Sequence, residues 1–259
     1  MSLDHLTPET TDDGVLGGRL RLLQPRRGHR FGHDAILLAA AADAPVGGHV
    51  VDLGAGVGTA GLALAWRRPD LSVTLVERDP GLAGLAAENI RRNGFAARAR
   101  AAVLDVEAGP RTFADAGLPD GAADAVIMNP PFNDAGRLQT SPVTERRMAH
   151  AAVPDLLSVW MARAAGLLGT EGRLTLIWRA DELSDVLTTL GPAFGGVRVL
   201  PVHPRPDAAA IRVLVGAAKG SRAPLALLPG LHLNDGTGKP GAAAEAVLRA
   251  GEALRLWEE

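Results

Sequence analysis

Cysteine and tyrosine are absent from this chain of 259 residues, and only two lysines occur, Lys219 and Lys239. Without cysteine the protein can form no disulfide bond, no zinc–thiolate site and no covalent intermediate on a thiol. Aromatic residues make up 3% of the sequence, which argues against an extended stacking surface for single-stranded nucleic acid. These absences exclude thiol chemistry and disfavour a continuous aromatic platform.

Long apolar runs are also missing. No stretch of about 18 apolar residues occurs, so a membrane-spanning helix is not expected. Residues 1–11 are polar and acidic, unlike a signal peptide. These two features predict a cytoplasmic protein that has no membrane partner. With 47% hydrophobic residues, the chain can bury the core of one large α/β domain.

Positive charge is unevenly spread, although the formal net charge of −2 gives no overall basic signal. A first group of arginines lies in one N-terminal segment: Arg19, Arg21, Arg26, Arg27 and Arg30. A second group follows in a long polar connection at residues 133–152: Arg137, Arg146 and Arg147. A connection of that length in a compact domain is usually functional or mobile.

Strand-like apolar segments alternate with helical patterns, which predicts an α/β fold with a mostly parallel sheet and helices on both faces. Seven strands are expected, at residues 50–53, 72–76, 99–104, 124–128, 173–178, 197–202 and 211–216. A short β-hairpin arm with its turn at Gly17 and Gly18 is expected before them.

The same patterns predict two parts of the chain. Residues 1–32 are expected to form an N-terminal tail, the hairpin and a basic arm, with residues 1–13 disordered because of their polar composition. Residues 33–259 are expected to form the main domain. It would begin with a helix capped by Asp34 and end with a helix over residues 242–256.

A glycine-rich turn follows the first strand of the main domain, with Gly54, Gly56 and Gly58 at alternate positions after Asp52. Residues 56–61 also match the G-x-G-x-x-G pattern, which by itself is a weak signal for a dinucleotide site. Glycines at these positions let the backbone approach a ligand closely.

Three carboxylates stand at successive strand ends: Asp52, Glu77 and Asp105. Asp52 would contact an ammonium group, Glu77 both hydroxyls of a ribose, and Asp105 the region of an adenine ring. Three acidic groups suit a cationic ligand without phosphate better than a pyrophosphate. S-adenosylmethionine fits this description, and a nicotinamide cofactor is the alternative.

The fourth strand ends in Asn129, Pro130, Pro131 and Phe132. Two consecutive prolines fix two φ angles and remove two backbone donors, while the Asn129 side chain adds a carbonyl acceptor. Phe132 adds a flat apolar face. Such a rigid set of oxygens beside an aromatic ring suits a planar amino group, with acceptors for its two hydrogens.

Together these motifs resemble the class I, Rossmann-like methyltransferases that act on exocyclic or amide nitrogens. Residues 31–38, with Gly32, His33 and Asp34, resemble more narrowly the entry segment of the bacterial tRNA1(Val) adenine-37 N6-methyltransferase family. That family commonly has Gly-Thr-Asp there and Tyr in place of Phe132. The resemblance implies S-adenosylmethionine as cofactor, an adenine amine in RNA, most specifically a tRNA anticodon loop, as acceptor, and no metal.

Site residues follow from the motifs and the resemblance. The catalytic residues are expected to be Asn129, Pro130, Pro131 and Phe132. The cofactor-binding residues are expected to be His33, Asp34, Asp52, Gly54, Gly56, Gly58, Glu77, Arg78, Asp105, Val106 and Asn129. The RNA-binding residues are expected to be Arg26, Arg27, Arg30, Arg137, Arg146 and Arg147.

Three other readings stay open. A glutamine methyltransferase of release factors shares the Asn-Pro-Pro-aromatic motif but typically carries a substantial helical domain before the core. A ribosomal RNA guanine amino methyltransferase would usually be a longer, duplicated chain. A binding module without activity would not need an intact Asn129 to Phe132.

Overall fold

The structure, a computed structural model, describes residues 10–27, 32–131 and 156–257. It begins with an antiparallel hairpin, the arm, formed by β1 (Thr10–Val15) and β2 (Leu20–Pro25). Residues 10–13 are therefore strand, and the expectation of disorder there is wrong. A 3₁₀ turn over Leu16–Gly18 joins the two strands. It takes the place of the two-residue Gly-Gly turn that the sequence suggested.

The central sheet contains seven long strands. They are β3 (His49–Leu53), β4 (Ser72–Glu77), β5 (Ala99–Val103), β6 (Ala123–Met128), β7 (Leu168–Arg179), β8 (Phe194–His203) and β9 (Arg212–Lys219). Two strands of two residues each, β10 (Ala226–Leu227) and β11 (Leu231–His232), extend it beside β8. The sequence patterns predict the seven long strands but not the two short ones.

The order across the sheet is β10-β8-β9-β7-β6-β3-β4-β5. Strand β9 is antiparallel to both β7 and β8, and the other pairs are parallel. In register, Leu53 of β3 stands opposite Val76 of β4 and Met128 of β6. The segments that follow these strands therefore emerge at one edge of the sheet, called here the carboxyl edge.

Helices cover both faces of the sheet, as expected. They are α1 (His33–Ala41), α2 (Thr59–Arg67), α3 (Pro80–Arg92), α4 (Pro110–Asp115), α5 (Leu156–Leu167), α6 (Leu183–Leu190) and α7 (Ala242–Glu245). Side chains of α1, α2 and α3 are buried in one apolar cluster, and those of α4, α5 and α6 in another. The arm joins the first cluster through Val15, Leu16, Leu20 and Leu22.

Two helix boundaries differ from the prediction. Helix α1 begins at His33, and its cap position is Gly32, which has no side chain to form a capping hydrogen bond. Asp34, the expected cap, lies within the first turn and pairs with Arg212 at 2.9 Å. The last helix ends early: α7 passes into one π-helical turn over Ala246–Ala250, and Gly251 stops it with φ of 75°. A side chain at Gly251 would collide with the ring of Trp66.

Residues 254–256 do not continue the helix and instead pack against the apolar cluster of α1, α2 and α3. The Leu254 amide donates to the Ala40 carbonyl at 2.8 Å, and Leu256 is fully buried. In residues 10–27, 32–131 and 156–257, no helix combines the length and the apolar character needed to cross a membrane.

Candidate functional site

The glycine turn between β3 and α2 forms the centre of the carboxyl edge. Gly54, Gly56 and Gly58 all have positive φ angles, of 69°, 57° and 89°, which only glycine adopts without strain. One backbone hydrogen bond joins the turn to β4, and another closes the turn itself. The Ala55 amide donates to the Val76 carbonyl at 2.9 Å, and the Gly58 amide donates to the Ala55 carbonyl at 2.8 Å.

The glycines differ in what their missing side chains leave room for. A Cβ at Gly54 would lie 2.3 Å from the ring of Trp160, and one at Gly61 would lie 2.3 Å from a methyl of Leu75. These two glycines allow helices to pack closely. A Cβ at Gly56 would meet no described atom within 4 Å. Gly56 therefore leaves its backbone open to the space beyond the turn.

Asp52 is 2% exposed and lies beneath this turn. Its Oδ2 accepts a hydrogen bond of 2.9 Å from the Gly61 amide. The pKa of Asp52 is raised to about 7, mainly because burial removes water from the carboxylate; the hydrogen bond from the Gly61 amide lowers it, and the nearby charge of Glu77 raises it. A cationic group placed beside Asp52 would stabilise its carboxylate form.

Glu77, at the end of β4, braces the turn from the other side. Its Oε2 accepts from the Gly56 amide at 2.8 Å, and its Oε1 accepts from the Asp79 amide at 2.9 Å. A carboxylate has about four lone-pair sites, so Glu77 keeps acceptor capacity for a ligand. Asp105 is exposed beyond β5 and accepts from the Glu107 amide at 2.9 Å.

Asn129 follows β6 directly, and its Oδ1 is buried without a hydrogen-bond partner among the described residues. Thr59, at the start of α2, has its Oγ1 in the same condition. Buried polar atoms are nearly always hydrogen-bonded, so such exceptions call for an explanation. Both residues line the same cavity, so a ligand there could provide the missing partners.

This cavity has a volume of about 290 Å³, near the lower end of the range for small-molecule sites. Its lining comprises Gly32, His33, Asp34, Ala35, Asp52, Gly54, Ala55, Gly56, Val57, Thr59, Ala60, Leu82 and Asn129. A larger open groove of about 710 Å³ adjoins it and shares Gly32 and His33 with it. A small ligand could occupy the cavity while a larger partner approaches through the groove.

The structure brings six of the expected cofactor-binding residues together around this cavity: His33, Asp34, Asp52, Gly54, Gly56 and Asn129. The others lie outside its lining in the described part of the chain: Gly58, Glu77, Arg78, Asp105 and Val106. Pro130 is buried and Pro131 exposed beside Asn129. Phe132 lies outside the described residues.

Of the expected RNA-binding residues, Arg26 and Arg27 are exposed beyond the end of β2. Arg30, Arg137, Arg146 and Arg147 lie outside the described residues. Arg26 Nε donates to the Thr10 carbonyl at 3.4 Å, and two further arginines of the N-terminal cluster also bond to the protein. Arg19 donates to the Arg249 carbonyl at 2.6 Å, and Arg21 pairs with Asp12 at 3.1 Å.

Sequence reasoning missed Thr59 and Leu82, which line the cavity. Thr59 has a readable signal, since a hydroxyl at the first position of a helix after a glycine turn faces the ligand side of that turn. Leu82 gives no such signal, because an apolar residue in a helix normally indicates core. Among the described residues, no three His, Asp or Glu side chains are placed to hold a metal ion together.

The sequence is similar to those of known proteins. The model of the methyltransferase small domain family matches residues 31–203. A tRNA1(Val) (adenine(37)-N6)-methyltransferase of Porphyromonas gingivalis is 32% identical over 164 residues, which are 61% of this chain and 61% of that protein. A protein of the same name from a Flavobacteriaceae bacterium (strain 3519-10) is 30% identical over 148 residues, 57% of this chain and 58% of that protein. The chain thus spans about three fifths of the length of these curated relatives.

Solved structures show the same fold. The crystal structure of a predicted O-methyltransferase, protein Atu636 from Agrobacterium tumefaciens, has a TM-score of 0.72 and 31% identity, covering 85% of this chain and 98% of that one. A SAM-dependent O-methyltransferase of Thermotoga maritima has a TM-score of 0.53 at 19% identity, covering 76% of this chain and 69% of that one, and shows the fold alone. By its sequence match and its fold, the chain belongs to the methyltransferase small domain family, and its cofactor is S-adenosylmethionine.

Proposed function

We propose that this protein is an S-adenosylmethionine-dependent N-methyltransferase that acts on the exocyclic amine of adenine in RNA, most specifically in a tRNA anticodon loop. The buried, unpartnered Oδ1 of Asn129 carries the proposal. It stands at the end of β6, on the lining of the cavity beside the glycine turn. An acceptor without a donor is what an incoming amino group would need there.

Several features of the cavity suit S-adenosylmethionine. Asp52 gives it an acidic wall, Gly56 opens the backbone toward it, and Thr59 offers an unpartnered hydroxyl. Asp52 would hold the ammonium group and Glu77 the ribose hydroxyls. When bound, S-adenosylmethionine supplies a methyl group already activated by a sulfonium. The protein then needs mainly to align the acceptor with that methyl.

Asn129 would provide this alignment. Its Oδ1 and the Pro130 carbonyl would each accept one hydrogen of the amine, which turns the nitrogen lone pair toward the methyl group. The same acceptors stabilise the positive charge that develops on nitrogen. An amide oxygen is a poor base, so the proton released after the N–C bond forms would pass to water. Phe132 would stack on the base.

Two acceptors suit an amine, which has two hydrogens, better than a hydroxyl, which has one. The tRNA1(Val) (adenine(37)-N6)-methyltransferases among the relatives support an amine acceptor. The Agrobacterium tumefaciens protein, described as a predicted O-methyltransferase, makes hydroxyl transfer the outcome to test against.

Arg26 and Arg27 would contact RNA phosphates beside the site. Phosphate contacts position a nucleic acid without reading its sequence. The target base must leave its stack to enter the cavity, and this costs least in a single-stranded loop. Arg30, Arg137, Arg146 and Arg147 belong to the same proposal on their sequence positions alone.

The test is transfer of a tritiated methyl group from S-adenosylmethionine to separate RNA, protein and DNA fractions, followed by nucleoside analysis. We expect label in RNA as N6-methyladenosine. Label in glutamine of a protein, in guanosine or on a ribose hydroxyl would each replace the proposed acceptor.

Variants of Asn129 tie the activity to the site. Asn129→Ala should abolish transfer while leaving the affinity for S-adenosylmethionine within a few-fold of the wild type. Arg222→Ala, an exposed change near the opposite edge of the sheet, is the control and should keep full activity. Near-normal turnover by Asn129→Ala would refute the aligning role.

A further inference from the structure

Asn89 is a polar side chain in the buried stripe of α3, beside Ala86 and Ile90. It is 0% exposed, and a buried amide is costly unless its hydrogen bonds are made. Both the oxygen and the nitrogen of its side-chain amide form hydrogen bonds. Its Oδ1 accepts from the Leu23 amide at 2.7 Å, and its Nδ2 donates to the carbonyls of Leu23 and Val57, both at 3.0 Å.

The bonds to Leu23 form half of a ladder between α3 and the arm. One helical turn later, Asn93 repeats the pattern: its Oδ1 accepts from the Arg21 amide at 3.0 Å, and its Nδ2 donates to the Arg21 carbonyl at 2.9 Å. Residues four apart on a helix rise by about 6 Å, and residues two apart on a strand by about 6.6 Å. The two asparagines therefore match the open edge of β2 and act as a substitute third strand.

The two asparagines differ in their remaining contact. Asn93 donates to the Asn89 carbonyl, on its own helix, at 2.8 Å. Asn89 instead donates to the Val57 carbonyl, which lies between Gly56 and Gly58 in the turn that lines the cavity. Glu77 holds this turn from the β4 side, and Asn89 holds it from the α3 side.

We infer that Asn89 is a positioning residue for the cofactor site, through which β2 of the arm and helix α3 fix the glycine turn around Val57. The inference rests on the proposed use of this cavity for S-adenosylmethionine. The arm is then part of the cofactor site as well as a surface beside it. Loss of the Asn89 bond frees the Val57 carbonyl, and the turn no longer stays in the conformation that the ligand needs.

Calorimetric titration of S-adenosylmethionine into Asn89 and Asn93 variants tests this. Asn89→Asp keeps the size of the side chain and the acceptor for the Leu23 amide, but it places an oxygen against the carbonyls of both Leu23 and Val57. We expect the dissociation constant of Asn89→Asp and of Asn89→Ala to rise tenfold or more. Asn93→Ala, which loosens the same arm without touching the turn, should stay within about twofold. Each variant is measured well below its own melting temperature.

Amide hydrogen exchange gives a second readout and includes the unmodified protein. In the wild type, S-adenosylmethionine should slow exchange at Leu23 more than at Arg21, because Leu23 connects to the turn through Asn89. In folded Asn89→Asp, residues 56–58 should exchange faster than in Asn93→Ala.

A folded Asn89→Asp that binds with wild-type affinity, or an Asn93→Ala that loses as much, would overturn the inference. So would equal slowing at Leu23 and Arg21 in the wild type. Cofactor binding that depends on Asn89, in a protein that methylates no RNA, would support the inference and reject only the adenine acceptor.

Discussion

At the residue scale, Asp52 combines burial with a charge that a cationic ligand would require. Its pKa is raised to about 7, mainly because the carboxylate has lost its contact with water. Near pH 7 a large fraction of Asp52 is therefore protonated in the free protein. A ligand carrying an ammonium and a sulfonium would draw the pKa of Asp52 down, so binding and proton release are linked.

We predict that S-adenosylmethionine binding releases a proton near pH 7 and weakens as the pH falls below 7. One linked proton limits the change to tenfold in affinity for each pH unit. Calorimetry at pH 7 in two buffers with different heats of ionisation measures the proton directly. Asp52→Asn should remove the buffer dependence, and an unchanged buffer dependence in Asp52→Asn would assign the proton to another group.

The same group predicts how stability varies with pH. The pKa of Asp52 is about 7 in the folded protein and 3.8 for an ordinary aspartate. Because the folded pKa is raised, the stability from this group is fully present below about pH 4 and is lost as the pH rises through 7. The free energy of unfolding of the wild type should therefore fall relative to that of Asp52→Asn by up to about 1.4 kcal/mol per pH unit between pH 4 and 7. Urea unfolding across this range measures the difference.

Glu77 is predicted to matter more for cofactor affinity than Asp105. Glu77 binds two backbone amides of the site, whereas exposed Asp105 binds the Glu107 amide. Glu77→Ala should weaken S-adenosylmethionine binding by roughly 1.5–3 kcal/mol, the range for hydrogen bonds to a charged group. Asp105→Ala is the matched control and should cost less than 1 kcal/mol. If calorimetry showed a larger loss of affinity for Asp105→Ala than for Glu77→Ala, contacts near the adenine ring would dominate binding.

The sequence alone indicates some of the residues of the site and gives no sign of others. Asp52 and Asn129 were found because each stands at a strand end, and parallel strands bring their carboxyl ends to one edge. Asn89 was not found, since a single polar residue in a helix does not reveal which backbone it will meet. The local sequence predicts Asp34 as a helix cap, because it cannot reveal that Asp34 pairs with Arg212, which lies 178 residues away in sequence.

At the scale of elements, the packing of α2 on the sheet depends on Gly61. A Cβ there would lie 2.3 Å from a methyl of Leu75 and 3.0 Å from Oδ2 of Asp52. The third glycine of the G-x-G-x-x-G pattern thus serves helix–strand contact, and Gly56 faces the cavity. This division of roles explains why the pattern alone cannot identify a ligand.

Two glycine substitutions should therefore fail in different ways. Gly61→Ala should lower the free energy of unfolding by about 1–3 kcal/mol, the usual cost of overpacking. Gly56→Ala meets no atom within 4 Å and carries only the strain of a positive φ, about 1–2 kcal/mol, but its methyl projects beside the cavity. Gly56→Ala should weaken the binding of S-adenosylmethionine, measured by calorimetry, by more than it lowers the free energy of unfolding, measured with urea. Equal affinity in Gly56→Ala and the wild type would place the ligand elsewhere.

The helices and strands with a regular sequence pattern were predictable, but the docking of the arm and the end of the last helix were not. Helices α2 and α3 begin and end where the glycine turn, Pro80 and Asn93-Gly94 indicated. The docking of the arm and the early end of α7 depend on distant partners, such as the ring of Trp66 against Gly251. Local patterns carry no record of such contacts.

At the scale of the whole molecule, a net charge of −2 must be reconciled with the proposed RNA substrate. Many arginines neutralise carboxylates within the fold. Arg68 pairs with Asp43 and Asp70, Arg212 with Asp34, and Arg92 with Asp12. Net charge therefore says little about which surface could attract a polyanion, and the exposed Arg26 and Arg27 remain the strongest described candidates.

If Arg26 and Arg27 grip phosphates, their replacement should change RNA binding in both strength and salt dependence. Each lost contact should lower the slope of log K against log salt concentration by about 0.7–0.9, because fewer counterions are released on binding. We expect Arg26→Gln/Arg27→Gln to bind tRNA more weakly at low salt, with a shallower slope by up to about two such steps. Arg222→Gln, exposed near the opposite edge of the sheet, removes one positive charge and should leave the slope unchanged. Filter binding across a salt series measures all three proteins. A double variant with the slope and affinity of the wild type would show that these arginines are solvated, and the RNA would then have to be held by other residues.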